Sequence, residues 1–227
     1  MQAVSLGSAS YGHYRRYVQF AAAVLGVAVL GLSLGPASAE ARTLRLVALG
    51  DSLTAGYGVP AGQAFPEVLQ RALKAKGYNV EVANAGVSGE TAEDGLARFD
   101  WSVPQGTDAL IVELGANDML RGQPPDGAKK ALAEILDKAK AAHIPTLLTG
   151  MLAAPNLGAD YERKFNAIYP DLAQQYGVQL YPFFLQGVAG DPKLNQKDGL
   201  HPTAEGVQKI VAAILPSVEK LLGEVKG

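Results

Sequence analysis

A serine near the start of the chain and an aspartate and a histidine near its end are residue types that together can make a nucleophile. Ser52 follows the apolar run at residues 46–49, and Asp198 and His201 lie three residues apart in the segment Asp-Gly-Leu-His-Pro. A serine hydroxyl becomes a good nucleophile when an imidazole takes its proton, and a carboxylate fixes the tautomer and orientation of that imidazole. The three residues therefore predict nucleophilic catalysis by Ser52, with His201 as the base and Asp198 as its partner.

The histidine count favours His201 as the base. The chain has three histidines and no cysteine. His13 lies in an N-terminal segment with the pattern of a targeting signal, and His143 ends a predicted helix, where a cation is ordinary. One usable histidine and no cysteine cannot build a typical catalytic zinc site, so we expect neither metal nor cofactor. The structural alternatives are a helix N-cap for Ser52, a turn residue for Asp198 and a surface imidazole for His201.

Five mostly apolar segments alternate with amphipathic ones along the chain. The predicted strands are residues 44–49, 79–83, 108–114, 144–150 and 179–183. The predicted helices are residues 63–76, 91–99, 126–142, 159–176 and 203–222. Strand–helix alternation with nearly continuous apolar strands is typical of a parallel sheet covered on both faces. The pattern predicts an α/β fold, a three-layer α/β/α sandwich with a five-stranded parallel sheet of flavodoxin-like type.

The candidate residues follow the carboxyl ends of the predicted strands, where ligands bind in such sheets. Ser52 follows the first strand, Gly86 the second and Asn117 the third, while Asp198 and His201 follow the fifth. The fold would therefore bring all five to one rim. Acyl transfer requires donors aimed at the tetrahedral oxyanion. The candidates are the backbone N–H groups of Ser52 and Gly86 and the side-chain amide of Asn117, with an ordinary turn glycine and capping asparagine as the alternatives.

Four sequence blocks resemble those of the SGNH (GDSL-type) hydrolase family, in the family's order. They are Gly-Asp-Ser-Leu at 50–53, Asn-Ala-Gly at 84–86, Gly-Ala-Asn-Asp at 115–118 and Asp-Gly-Leu-His-Pro at 198–202. Four ordered blocks are more specific than any one of them. The resemblance implies the SGNH hydrolase fold, ester hydrolysis through an acyl-enzyme, a triad of Ser52, His201 and Asp198, and an oxyanion hole of Ser52, Gly86 and Asn117.

The variable loops at 84–91, 117–122 and 151–158 resemble the bacterial arylesterase, acyl-CoA thioesterase I and lysophospholipase L1 branch of this family. That likeness implies short- to medium-chain carboxylic esters, with aryl esters, acyl thioesters and lysophospholipids as candidate substrates. Apolar side chains that could bind the acyl group are Leu53, Leu120, Met151, Leu152, Leu157 and the Phe183–Phe184 pair. Two alternatives stay open: a carbohydrate deacetylase on the same fold, which the single tryptophan supports little, and a non-catalytic periplasmic binding module.

The first 39 residues have the pattern of a secretory signal, and residues 40–227 are the predicted hydrolase domain. Two arginines at 15–16 precede an apolar run at 18–34, and Ala-Ser-Ala at 37–39 is a small-residue cleavage site. A membrane anchor is the alternative, although the run is short beside the ~20 residues that a spanning helix needs. A net charge of −2 gives no reason to expect that the protein binds nucleic acid. We expect a periplasmic or secreted protein, exported by the Sec or Tat route, with no stable membrane insertion after cleavage. We also expect it to be a monomer and to bind a small-molecule ester or thioester.

Overall fold

The computed structural model describes residues 1–3 and 42–225. The predicted secretory signal lies outside these residues, apart from the first three. The strands are β1 (Leu44–Gly50), β2 (Val80–Gly86), β3 (Ala109–Glu113), β4 (Thr146–Thr149) and β5 (Gln179–Tyr181). The helices are α1 (Ser52–Ala55), α2 (Phe65–Ala75), α3 (Ala92–Ala97), α4 (Phe99–Ser102), α5 (Ala116–Leu120), α6 (Pro125–Ala141), α7 (Ala159–Tyr176) and α8 (Ala204–Gly223), with a short 3₁₀ helix at Pro155–Leu157. No helix in the described ranges has the length and apolar composition to cross a membrane.

The strands form one parallel sheet in the order β2-β1-β3-β4-β5. In its register Gly50 at the end of β1 lies opposite both Gly86 of β2 and Glu113 of β3. The carboxyl ends of the first three strands are therefore level with one another. This register places the segments that follow them at one edge of the sheet, as the sequence pattern predicts.

Helices cover the sheet on both faces, which confirms the predicted three-layer α/β/α architecture. α2 packs against α8 and β2 on one face, and α6 packs against α3 and α7 on the other. The central strand residues Leu46, Leu49, Ile111 and Leu148 are fully buried between these layers. Burial on both sides explains why β1 and β3 have nearly continuous apolar sequences rather than an alternating pattern.

β4 and β5 are shorter than predicted and α5 has no predicted counterpart. Two further differences from the sequence prediction have a clear local cause. β2 continues to Gly86, beyond the predicted end at residue 83, because it pairs along the whole of β1 despite its polar Asn84. The predicted helix 91–99 is divided into α3 and α4 at Arg98. The Arg98 side chain is buried and donates a hydrogen bond to the carbonyl of Gly50 at 2.9 Å. Tertiary contacts of this kind override local helix preference.

Candidate active site

Ser52 lies at the N-terminus of α1, directly after the carboxyl end of β1. The turn between them requires Gly50, because a Cβ at this position would lie 2.1 Å from Thr54 Oγ1. Asp51 caps the helix, since its Oδ1 accepts a hydrogen bond from the Leu53 N–H at 3.0 Å. The Ser52 N–H belongs to the first helical turn, whose donors have no intrahelical partner. Within the described ranges it finds no acceptor elsewhere.

Asp198 and His201 lie in the loop between β5 and α8, beside Ser52. Asp198 Oδ1 accepts hydrogen bonds from the backbone N–H groups of Leu200 and His201, at 2.9 and 3.0 Å. Asp198 Oδ2 lies 2.7 Å from His201 Nδ1, and His201 Nε2 lies 2.9 Å from Ser52 Oγ. The structure thus brings the three predicted catalytic residues into one hydrogen-bonded series that runs from the carboxylate to the hydroxyl.

The charge on Asp198 decides which imidazole nitrogen carries the proton. Hydrogen bonds from the backbone and side chain of His201 and from the Leu200 N–H lower the pKa of Asp198 from 3.8 to about 2. The group is therefore a carboxylate at neutral pH and accepts a hydrogen bond from Nδ1–H of His201. In the neutral imidazole Nε2 then has a free lone pair facing Ser52 Oγ. That arrangement suits a base that removes the hydroxyl proton.

Asn117 lies in α5 at the same edge of the sheet. Its Nδ2 donates to Asp51 Oδ2 at 3.0 Å and to the carbonyl of Glu90 at 2.9 Å. An amide nitrogen has two hydrogens, so both are already engaged. Asn117 also lines the same cavity as Ser52. Its amide is held in place there, and donation to an oxyanion would require one of the two bonds to be shared or released.

Gly86 does not offer the free N–H that the sequence analysis predicts. Its N–H donates to Asn84 Oδ1 at 3.0 Å. A Cβ at Gly86 would lie 2.2 Å from the backbone nitrogen of Ala55, at the far end of α1 from Ser52. The glycine is therefore needed for the close approach of β2 to α1, and its N–H could serve the predicted oxyanion site only by giving up the bond to Asn84.

Gly89, three residues after Gly86 and in the loop that follows β2, is a candidate backbone donor that the sequence reasoning did not single out. It has a φ of +88°, and in the described part of the chain its N–H has no acceptor. The loop is fixed beside α5 by two bonds: Arg121 donates to the Gly89 carbonyl, and Asn117 donates to the Glu90 carbonyl. The only sequence signal was a second glycine in the loop, and sequence alone does not show which of two nearby N–H groups is free.

Two buried acids lie behind the nucleophile. Asp51 is fully buried, and desolvation raises its pKa from 3.8 to about 6. Glu113 is also fully buried, and desolvation together with the Asp51 charge raises its pKa well above 4.5. Glu113 Oε2 accepts from Thr54 Oγ1 at 2.8 Å, while Oε1 has no partner among the described residues. Burial therefore disfavours the charged form of both acids.

An apolar cavity of about 200 Å³ opens beside Ser52 and His201. Of the predicted acyl-binding residues, Leu53, Leu120 and Met151 line it, as do Leu152 and Phe183. Phe184 is instead fully buried in the core, and Leu157, in the short 3₁₀ helix, is not part of the lining. Two larger grooves, of about 590 and 600 Å³, contain neither Ser52 nor His201. Within the described ranges no cluster of three acidic or histidine side chains is arranged to hold a metal ion.

Comparison with known proteins identifies the family. Residues 48–209 match the model of the GDSL-like lipase/acylhydrolase family. The chain is 38% identical over 179 residues to an arylesterase of Vibrio mimicus, covering 78% of this chain and 90% of that protein. It is 40% identical over 161 residues to thioesterase 1/protease 1/lysophospholipase L1 of Escherichia coli strain K12, covering 70% and 76%. The crystal structure of AlinE4, an SGNH-hydrolase family esterase, is 47% identical and superposes with a TM-score of 0.67, over 79% of this chain and 96% of that one. With a family match over most of its length, the chain belongs to the GDSL-like lipase/acylhydrolase family and is a carboxylic-ester hydrolase.

Proposed function

We propose that the chain hydrolyses short- to medium-chain carboxylic esters through an acyl-enzyme on Ser52. The observation that carries the proposal is the series Asp198–His201–Ser52, with separations of 2.7 and 2.9 Å. Binding alone does not require a hydroxyl, an imidazole and a carboxylate joined in this order. Nucleophilic catalysis does, because each group sets the protonation state of the next.

In the proposed first step, His201 Nε2 takes the proton from Ser52 Oγ as the oxygen attacks the acyl carbonyl. The imidazolium that forms is stabilised by the Asp198 carboxylate, which stays ionised. His201 then gives the proton to the leaving alcohol or thiol. In the second step, the same nitrogen takes a proton from water as the water attacks the acyl-enzyme. The imidazolium then returns this proton to Ser52 Oγ as the bond between Oγ and the acyl carbon breaks and the acid leaves.

The oxyanion of the tetrahedral intermediate needs preorganised donors. We assign the Ser52 and Gly89 N–H groups to this role, because both are free of other acceptors in the described structure. Asn117 is a third donor once substrate competes for one of its amide hydrogens. Gly86 supports the site by letting β2 approach α1.

The cavity beside Ser52 supports the acyl-chain preference. Its volume of about 200 Å³ is below the ~300–1,000 Å³ of pockets that enclose drug-sized ligands. Leucine, methionine and phenylalanine side chains line it, which suits an alkyl chain rather than a polar one. Short acyl groups fit within it, and the alcohol or thiol part of the substrate lies toward solvent. Aryl esters, acyl thioesters and lysophospholipids each have an acyl part and an alcohol or thiol part that could bind in this way. They are the candidate substrates.

The structure gives no specific support to the two alternative functions. A carbohydrate deacetylase would gain from several exposed aromatic rings around the nucleophile. Of the two exposed rings in the described chain, Tyr57 lies beside His201, whereas Trp101 lines a groove that contains neither Ser52 nor His201. A binding module has no use for the hydrogen-bonded series described above. We also infer export to the periplasm or the medium, with cleavage after residue 39, from the N-terminal sequence pattern.

Hydrolysis of p-nitrophenyl esters of increasing acyl length tests the proposal. We expect Ser52→Ala to lower kcat by at least about 10⁴-fold, since the remaining donors and binding leave only residual catalysis. Ser217→Ala, on α8 and outside the cavity, is the matched control and should retain wild-type activity. We expect kcat/KM to rise from acetyl toward short acyl chains and to fall for long ones. Full activity of the Ser52→Ala variant would refute the mechanism, and a preference for long chains would refute the assigned cavity.

A further inference from the structure

The loop that carries Asp198 and His201 is closed by Gln196. The Gln196 N–H donates to the carbonyl of His201 at 2.7 Å, and the Gln196 carbonyl accepts from the Gly199 N–H at 2.9 Å. The side-chain Nε2 of Gln196 also donates to the Pro202 carbonyl at 2.9 Å. One residue therefore ties together the beginning and the end of the turn that presents the imidazole.

The same side chain reaches the segment that carries the nucleophile. Nε2 of Gln196 donates to the carbonyl of Tyr57 at 2.7 Å, and Tyr57 follows α1 directly after its capping glycine. The next residue, Gly58, lies so close that a Cβ there would be 2.2 Å from Gln196 Oε1. Both amide hydrogens of Gln196 are thus used, one on the His201 side and one on the Ser52 side.

A ring contact lies beside this hydrogen bond. The Tyr57 ring packs against the His201 imidazole with 4.6 Å between centroids and an angle of 42° between the planes. The Ser52 and His201 segments therefore meet through the catalytic hydrogen bond, the Gln196 bond and the ring pair. Residues 197–200 are exposed, so packing against a core does not hold the tip of this loop. Asn195 fixes the start of the loop, but its bonds go to Val188 and Asp191 and not to the Ser52 segment.

We propose that Gln196 is a positioning residue that sets the distance between His201 Nε2 and Ser52 Oγ. The inference rests on the proposed function, because it assigns Gln196 a role only in presenting the base to the nucleophile. An amide suits this position, since it donates to two carbonyl groups that belong to different segments. A carboxylate or an alkyl side chain of the same length cannot make either bond at neutral pH.

Misplacement of a catalytic group by about 1 Å can cost roughly 10²-fold in rate. Gln196 is partly exposed and water can replace some of its hydrogen bonds, so we expect a smaller loss. We expect Gln196→Met to lower kcat by about 10- to 50-fold and to leave KM within about threefold, because the acyl cavity does not include this side chain. The rate of phosphonate labelling of Ser52 should fall by a similar factor.

The experiment compares wild type with Gln196→Met, Gln196→Glu and the control Gln208→Met, which makes the same chemical change on the exposed face of α8. Steady-state kcat and KM on a p-nitrophenyl ester, phosphonate labelling rates and melting temperatures are measured for each. We expect both Gln196 variants to lose kcat with melting temperatures within about 5 °C of wild type. If Gln196→Met does not fold, Gln196→Glu decides the question, because it keeps the size of the side chain.

A folded Gln196 variant with wild-type kcat and labelling rate would overturn the inference, as would a change confined to KM. Measuring Ser52→Ala in parallel distinguishes failure of the positioning role of Gln196 from failure of the proposed function. If Ser52→Ala is inactive and Gln196→Met is fully active, only the positioning role is refuted. If Ser52→Ala stays active, the acyl-enzyme mechanism itself is refuted.

Discussion

Asp51, the residue before the nucleophile, is predicted to make the protein less stable as the pH rises from 4 to 7. The carboxyl group is fully buried, and it accepts hydrogen bonds from Leu53 and Asn117. These bonds lower its pKa, but the larger effect of desolvation raises it from 3.8 to about 6. The free-energy cost of removing this charge from water is therefore only partly offset by the hydrogen bonds that the carboxylate accepts.

The sign follows from proton binding. A carboxyl group whose pKa is higher in the folded than in the unfolded state binds protons more tightly when the protein is folded. Its stabilising contribution is complete below about pH 4 and is lost as the pH passes through the folded-state pKa of about 6. The difference between the two pKa values corresponds to about 3 kcal/mol of unfolding free energy. The raised pKa of Glu113 acts in the same direction.

Urea unfolding of wild type and Asp51→Asn at several pH values between 4 and 7 measures this contribution. Asparagine does not titrate. The hydrogen bond from Asn117 that the variant loses therefore lowers its free energy of unfolding by an amount that is independent of pH. Asp198, whose lowered pKa has the opposite effect, contributes equally to both proteins and cancels. The part of the Glu113 pKa shift that comes from the Asp51 charge is removed in the variant and therefore belongs to the measured difference. We expect the stability of wild type relative to the variant to fall by about 2 kcal/mol from pH 4 to pH 7, which is most of the full difference. A difference that stays constant across this range would refute the reasoning.

Three further substitutions test individual contacts. Asp198→Asn should lower kcat by about 10³-fold with little change in KM. The Leu200 and His201 N–H groups would hold the amide oxygen, so the NH2 group would face His201 Nδ1 and favour the wrong tautomer; steady-state kinetics would show a smaller loss if that bond mattered little. Gly86→Ala should lower the unfolding free energy by about 1–3 kcal/mol in urea titrations, because its Cβ would meet the backbone of Ala55. Unchanged stability would contradict the close approach of β2 to α1. Gly89→Ala has room for its Cβ, but its φ of +88° disfavours alanine and displaces the N–H. We expect kcat to fall by about 10²-fold with KM unchanged, and full activity would remove Gly89 from the oxyanion site.

Much of the fold could be predicted because its signals are local. The apolar strands, the amphipathic helices and the glycine that ends β1 are all visible in the sequence. The rule that sites form at the carboxyl ends of parallel strands then places Ser52, Asn117 and His201 together. The register of Gly50 with Gly86 and Glu113 shows the physical basis of that rule in this chain.

The parts that could not be predicted depend on contacts between distant segments. Gly86, at the end of β2, and Gly89, in the loop that follows, have the same residue type, and only the bond from Gly86 N–H to Asn84 Oδ1 shows that the N–H of the first is occupied. The division between α3 and α4 arises where Arg98 reaches the carbonyl of Gly50. The role inferred for Gln196 depends on a bond to Tyr57, which is 139 residues away in sequence. No periodicity or motif in the sequence indicates these hydrogen bonds between distant segments.

The most direct test of the central claim is mass spectrometry of the folded protein after reaction with a fluorophosphonate. We expect a single adduct on Ser52, which lies 2.9 Å from His201 Nε2. We also expect labelling to be lost in His201→Ala, because the hydroxyl is then no longer activated. An adduct on another residue, or equal labelling of Ser52 without His201, would contradict the claim that this histidine activates this serine.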